Sequence, residues 1–295
     1  WQVSKINKLI SARKKQIVLL KEQKQAVINE AVTKGLDPAV PMKDSGVEWI
    51  GEIPAEWDVI PLKRQFSFGR GLPIKKSDLK EEGVPVICYG QVHAKTNTGV
   101  GLNDTLIRFV DPIYHMTNVQ SLVHEGDFIF ADTSEDHAGV GNCVYINTSD
   151  SIFAGYHTVI LRTIEKGFSN YLAYLFLTDT WRSQLRSRVN GVKVYSITQG
   201  ILKQSTVLIP PSDVQKKIVD YLDGRCSDID RLIESINSKI SLLVEYRTRL
   251  ISDVVTGQID VRDIEVPEFE YIADDVDDVS DDENTDLEEI MEEGE

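Results

Sequence analysis

Residues 6–37 and 229–260 are one helical sequence written twice, with about 190 residues of different sequence between the copies. Aligned without a gap, Ile6, Leu9, Ile10, Ile17, Leu19, Leu20, Glu22, Ile28, Val32, Thr33 and Asp37 match Ile229, Leu232, Ile233, Ile240, Leu242, Leu243, Glu245, Ile251, Val255, Thr256 and Asp260. Two amphipathic helices share an apolar rhythm by necessity. Rhythm does not explain why both copies end on Val-Thr with Asp four residues later. Units of a solenoid are contiguous, so a repeat this far apart predicts a paired helical frame carrying one inserted domain.

The apolar positions of the first copy (Ile6, Ile10, Ile17, Leu20, Val27, Ala31) recur at sums of threes and fours, with Arg13 and Lys24 at the skipped places. The second copy repeats the rhythm through Ile229, Ile233, Ile236, Ile240, Leu243, Leu250 and Val254, with Arg247 in the seam. This is the spacing of a coiled coil, and Ile17, Leu20, Ile240 and Leu243 are the residues expected to pair the helices. Gly35 and Pro38 should end the first helix. Pro210-Pro211 should stop a strand, and Ser212 three residues before Gln215 predicts a capping box opening the last helix. Val214, Ile218 and Leu222 continue that helix to a break expected at Gly224.

The net charge of −15 belongs to one end of the chain. Residues 263–295 hold seventeen acidic residues and no basic one, leaving 32 basic against 30 acidic residues in 1–262. Such a tail cannot bury enough apolar surface to fold alone and is expected to be disordered. No apolar run is long enough to span a membrane and no secretory signal is visible, so a cytoplasmic location without membrane contact is expected. Cys88, Cys143 and Cys226 are scattered, as reduced cytosolic cysteines are, and no metal site is expected. The domains read as 1–45 helix and linker, 46–209 globular domain, 210–262 helical region and 263–295 tail.

Between 46 and 209 the texture is that of a mixed domain of helix and strand. Strand-like runs at 84–89, 127–131, 142–146 and 158–161 are separated by Gly, Asn, Asp and Ser, and 168–188 reads as helix. The domain is close to neutral, with 15 basic and 16 acidic residues over 52–209. Its cations nevertheless concentrate in two acid-free stretches, 61–77 and 180–212, a pattern that favours polyanion contact over a merely solvated face. Asp179 lies just outside the second. A polar loop, 132–142, offers donors, acceptors and two glycines, although a structural hairpin is an equal reading. Four loops, 64–76, 91–97, 133–142 and 188–196, are therefore candidates to face a polyanion. Lys63, Lys75, Lys76 and Lys203 suit phosphates, since an ammonium needs no fixed geometry. Arg70, Arg188, Gln91 and Asn190 suit base edges, where planar groups make bidentate pairs. Arg64, His93, Lys95, Asn97, Thr133, Ser134, His137, Lys193 and Tyr195 complete the candidate surface.

Motifs of catalysis are missing from the sequence: no phosphate-binding loop, no H-E-x-x-H, no G-x-S-x-G and no Asn/Asp-Pro-Pro-aromatic segment of an adenine methyltransferase. Gly99-Val100-Gly101 reads as a turn. No catalytic residue is assigned.

Several segments carry a family likeness. Val32-Thr33-Lys34-Gly35-Leu36-Asp37-Pro38, then Asp44-Ser45-Gly46-Val47-Glu48-Trp49-Ile50-Gly51-Glu52-Ile53-Pro54 and Glu56-Trp57, resembles the central region of the specificity subunit of type I restriction–modification enzymes. The far edge agrees through Ile197, Leu202, Val207 to Pro211, Gln215, Ile218, Leu222 and Ile229 to Ile233. The resemblance implies an α+β fold, with a globular target-recognition domain flanked by two long helices in an antiparallel coiled coil. It implies double-stranded DNA as ligand, each recognition domain reading half of a bipartite site. It also implies methyltransferase subunits docked on the helices and a motor-nuclease subunit that joins to cleave. S-adenosylmethionine would sit on the methyltransferase, and this chain would bind no cofactor. With one recognition domain, the chain would be the second half of a full subunit or a half-length subunit able to self-dimerise. Two rivals stay open: the recognition part of a fused methyltransferase–nuclease, and a coiled-coil adaptor that reads no DNA.

Overall fold

The computed structural model describes residues 1–164, 169–191, 194–269 and 271–272, in two compact units. Lys193 and most of the acidic tail (270 and 273–295) lie outside the described residues. One unit combines Trp1–Glu22 with the chain from Asp228 onward; the other is Gln23–Ser227. The second unit thus takes in the end of the first helix and the start of the last, besides 46–209.

In the helical unit, the first helix (Gln2–Lys34) contributes its early turns and the last helix (Ser212–Val255) its later ones. The first contains no Gly or Pro, so nothing interrupts its hydrogen-bond ladder. The covered positions keep the seam rhythm: Ile6, Ile10, Arg13, Ile17 and Leu20 on one helix, Ile229, Ile233, Ile236, Ile240, Leu243, Arg247 and Leu250 on the other. Arg247 Nη1 donates to Asn7 Oδ1 at 2.9 Å. That bond joins the beginning of one helix to the end of the other, as in an antiparallel pair, and it gives the seam arginine a partner. Ile17, Leu20, Ile240 and Leu243 are each half-buried.

Two sequence expectations fail in the last helix. It runs unbroken through Gly224, because Leu222 (0% exposed) and Cys226 (7%) on either side are anchored in the core. Packing of that face outweighs the roughly 1 kcal/mol that an interior glycine costs. The capping box is absent as well. The helix opens on Pro211, whose carbonyl accepts from Val214 and Gln215 N–H at 3.0 and 2.9 Å. Gln215 turns inward, 3% exposed, and donates through Nε2 to Pro210 O at 2.7 Å.

The globular unit holds two four-stranded sheets. One is antiparallel, in the order 143–145, 128–131, 158–163, 66–70; the other runs 108–110, 84–87, 152–154, 122–123. Phe128-Ile129-Phe130-Ala131 shows why the first sheet reads as an apolar run: it is buried on both faces. Phe128 and Phe130 point into a cluster with Phe66, Phe176 and Trp181, while Ile129 and Ala131 face Ile87, Val144, Ile152 and Ile160. The Phe176 and Trp181 rings lie 4.3 Å apart between centroids. The stretch 168–188 forms two helices, Ser169–Phe176 and Asp179–Arg186, not one. Thr178 divides them: its Oγ1 accepts from Trp181 N–H at 3.1 Å, an N-cap bond that restarts the helix.

Both edges of the domain meet in a two-stranded ladder. Asp58, Val59, Ile60 and Pro61 pair antiparallel with Ile209, Leu208, Val207 and Thr206. The end of the first helix is sealed into the same core, with Ile28, Ala31 and Val32 buried beside Trp57.

Candidate nucleic-acid interface

The register of the antiparallel sheet places several loops at one end. Ala131 pairs with Thr158, Arg70 with Val159, and Cys143 with Phe130. The chain therefore leaves at 70 and 131 and enters at 143 and 158 on the same side. Segments 71–76, 132–142 and 155–157 all depart from that end. Close approach is built in at Gly71, where a Cβ would sit 1.8 Å from Gly155 O. Thr133-Ser134 then pairs with Ser196-Tyr195, and Ile197 N–H donates to Asp132 O at 2.6 Å. Gln199 Nε2 reaches Gly69 O at 3.0 Å.

The four loops singled out from sequence thus meet here in part. Arg70 is exposed at the strand end, and Lys75 and Lys76 are exposed beyond it, where Asp78 Oδ2 accepts from Lys75 N–H at 2.9 Å. Lys63 and Arg64 are exposed but precede the strand, some 13 Å away at about 3.3 Å per residue. Lys203 is exposed with its Nζ 5.2 Å from the centre of the Phe68 ring, midway along that strand. Arg188 and Asn190 are exposed, and Arg188 Nη1 donates to Gln204 O at 3.2 Å. Lys95 is exposed. His137 is exposed and stacks edge-on against Tyr195, with centroids 5.4 Å apart.

Other candidates spend their polar atoms on the protein. Gln91 Oε1 accepts from Cys88 N–H at 3.2 Å. Asn97 donates to Val92 O and Cys143 O, at 2.7 and 3.0 Å, and its Oδ1 accepts from Gly99 N–H. Ser134 is 1% exposed and donates to Asp136 O at 2.7 Å. His93 has both ring nitrogens engaged, Nε2 at 2.9 Å from Thr133 O and Nδ1 at 3.1 Å from Asn142 Nδ2. Thr133 Oγ1 is buried with no hydrogen-bond partner among the described residues.

Behind these loops lie residues that are absent from the candidate surface, although the sequence places several of them in a basic stretch or the polar loop. Arg182 donates through Nη1 to Asn142 Oδ1 and through Nε to Phe176 O, both at 2.7 Å, and burial lowers its affinity for the proton. Arg186 donates to Ala138 O and to Asp179, each at 2.8 Å. Tyr89 OH donates to Glu135 Oε1 at 2.6 Å. His157 has a left-handed backbone, φ 53°, with Nδ1 3.5 Å from Asp132 Oδ1. Local sequence puts Arg182 in a basic stretch and Asn142 in a polar loop, but does not show their bond, which joins residues 40 apart.

Chemically this end offers carboxylates at Asp132, Glu135 and Asp136 beside peripheral cations. Carboxylates repel phosphates but accept from the cytosine amino group, whereas the cations suit phosphates and guanine edges. Among the described residues no His, Cys, Asp and Glu gather as metal ligands, and no helix is long and apolar enough to cross a membrane. No disulfide joins the three cysteines, all of them buried; burial pushes the Cys143 thiol up to about 12.

Comparison with known proteins agrees with this architecture. The MjaVIII specificity subunit of Methanocaldococcus jannaschii, a type I restriction enzyme subunit, is 23% identical over 270 residues, covering 89% of this chain and 59% of the relative. The EcoKI specificity subunit of Escherichia coli K12 is 22% identical over 213 residues, 71% of this chain and 44% of the relative. This chain therefore spans about half the length of such relatives. Two solved structures share the fold. The HsdS subunit of Thermoanaerobacter tengcongensis superposes with TM-score 0.53 at 14% identity, over 88% of this chain and 56% of that one. A chain from a type I R-M system studied for its complex assembly and conformational transition gives 0.60 at 15% identity, over 84% and 55%. The type I restriction modification DNA specificity domain matches residues 54–243, more than half of the sequence, and the chain belongs to that family.

Proposed function

We propose that this chain is the DNA-sequence-recognition part of a type I restriction–modification complex, reading one half of a bipartite site. The observation that supports this most is the convergence of polar loops and peripheral cations at one sheet end of a family-matched domain. Arg70, Arg188 and Asn190 read base edges; Lys75 and Lys76 hold phosphates; Gln91, Asn97 and Ser134 shape the loops from behind.

The helical unit docks adenine methyltransferase subunits. Leu9 and Leu19 are 52% and 63% exposed, and their repeat counterparts Leu232 and Leu242 are 53% and 64% exposed. Exposed apolar residues duplicated at matching positions offer the same surface twice, which suits two copies of one partner. Methyl transfer belongs to those subunits, which hold S-adenosylmethionine, and cleavage belongs to a motor-nuclease subunit. This chain is non-catalytic and works in the cytoplasm. Where the parent protein has one recognition domain, a second copy supplies the other half-site.

Methylated-site profiling of the assembled complex tests the reading. Lys75→Ala and Lys76→Ala should weaken all sites alike and flatten the salt dependence. At least one of Arg70→Ala, Arg188→Ala and Asn190→Ala should relax a single base position, by about 1–3 kcal/mol of discrimination. An unchanged profile in all five variants would overturn it.

A further inference from the structure

We infer that His93 is a positioning residue that holds the reading loop through a one-way chain of hydrogen bonds beginning at Arg182. The inference rests on the DNA-reading role proposed for this sheet end. A guanidinium can only donate, so Arg182 Nη1, 2.7 Å from Asn142 Oδ1, fixes which end of that amide is oxygen. Asn142 Nδ2 is then the donor toward His93 Nδ1 at 3.1 Å, and Nδ1 accepts with its lone pair. The ring proton is left on Nε2, which donates to Thr133 O at 2.9 Å. Turning the amide over would set its NH2 against the guanidinium, which Phe176 O holds at 2.7 Å.

The carbonyl at the end of this chain lies in the short strand Thr133-Ser134 that pairs with Tyr195-Ser196. His93 therefore fixes the root of the 133–142 loop while touching no base itself. The ring is enclosed by Tyr89, with centroids 5.0 Å apart, and by Gly139, where a Cβ would come within 3.2 Å of Cε1.

A second proton on His93 would put N–H against N–H at Asn142. Burial lowers its affinity for that proton; the bond to the Thr133 carbonyl, then Asp136 and Glu135, oppose the shift, and Arg182 adds to it. Tyr89, whose hydroxyl is bonded to Glu135, also packs against the ring. With the folded value below the ordinary one, the neutral ring's contribution is complete above about pH 6.5. It is lost as pH falls through the folded value. Site discrimination should hold through the ordinary histidine range and weaken by this route only as pH falls below it, while phosphate contacts from lysines do not.

Imidazole 15N NMR on the full chain, with His93 assigned by its loss in His93→Gln, gives the first test. The neutral Nε2–H tautomer should persist below the ordinary histidine range. Asn142→Asp, whose carboxylate accepts at both ends, should raise the His93 titration by about 1–3 pH units. An Nδ1–H tautomer, or a titration unmoved by Asn142→Asp, would overturn the inference. In the assembled complex, His93→Ala should reduce discrimination about tenfold at one or more base positions without altering salt dependence. His93→Gln, which keeps a donor for Thr133, should restore most of it. If His93→Ala does not fold, Asn142→Asp serves: its selectivity should survive the acid that erodes the parent's, and identical pH profiles would refute the chain. An intact profile in His93→Ala beside altered ones in Arg70→Ala or Asn190→Ala refutes the inference alone. Intact profiles in all three refute the DNA reading as well.

Discussion

Ile28 and Val32 in the first copy of the repeat are 0% exposed, whereas their counterparts Ile251 and Val255 are 43% and 80% exposed. Locally the two helix ends are alike. Thr33 and Thr256 each donate to the carbonyl four residues back, at 2.6 and 2.7 Å, and Gly35 and Gly257 follow with φ of 81° and 75°. What differs is the cover. Tyr171 OH donates to Val32 O at 2.8 Å, Thr180 bonds Asn29, and Trp57 packs beside Gly35. Sequence near the end dictates how the helix stops; a following domain dictates whether its apolar residues are used. The second copy keeps the residues of a covered end, yet no described residue covers them to the same extent.

Ways to break this comparison differ in size. The largest effect is expected for Ile28→Asp, which leaves an unpaired carboxylate in the core and should cost several kcal/mol of folding stability. Ile251→Asp, the matched change, should stay within about 0.5 kcal/mol. Denaturant unfolding of the two variants measures the contrast, and equal losses would erase it. Replacing Ile240 and Leu243 together by Asp loads the half-buried seam. We expect about 1–3 kcal/mol of lost helix pairing and impaired assembly with the methyltransferase, seen by co-purification. Undiminished assembly would remove the docking role from this part of the helix. A subtler effect is expected for Val255→Ser: normal folding but weaker assembly of the complete complex, judged by titration calorimetry. Assembly at parental affinity would mean that the exposed end serves no partner. The smallest effect belongs to deletion of 264–295, after which the methylated sequence should be unchanged. A shifted site preference would show that the tail takes part in reading.

Much of the frame was legible because it depends on local periodicity. The 3-4 spacing located both helices, and Gly35 marked the end of the first. Strand runs at 127–131 and 158–161 were readable because they are buried on both faces and lack polar interruptions. Errors came where distant packing decides. Gly224 read as a break, since its neighbours' anchoring is invisible in sequence. Ser212 and Gln215 read as a cap, although burial draws Gln215 to Pro210. The loops were found by composition, but side chains within them could not be sorted. Whether Asn97 faces solvent or bonds Cys143 O depends on a partner 46 residues away.

One ladder has a consequence for how such a chain can change. Because 58–61 is zipped against 206–209, the intervening polypeptide begins and ends at neighbouring points. The chain enters and leaves at a spacing of about 5 Å, set by backbone pairing and indifferent to what lies between. A different insert with the same two edge strands would begin and end at the same two neighbouring points. The ladder thus makes the segment between its strands a cassette: exchange at its two borders replaces that segment whole and leaves the flanking helical sequence unaltered.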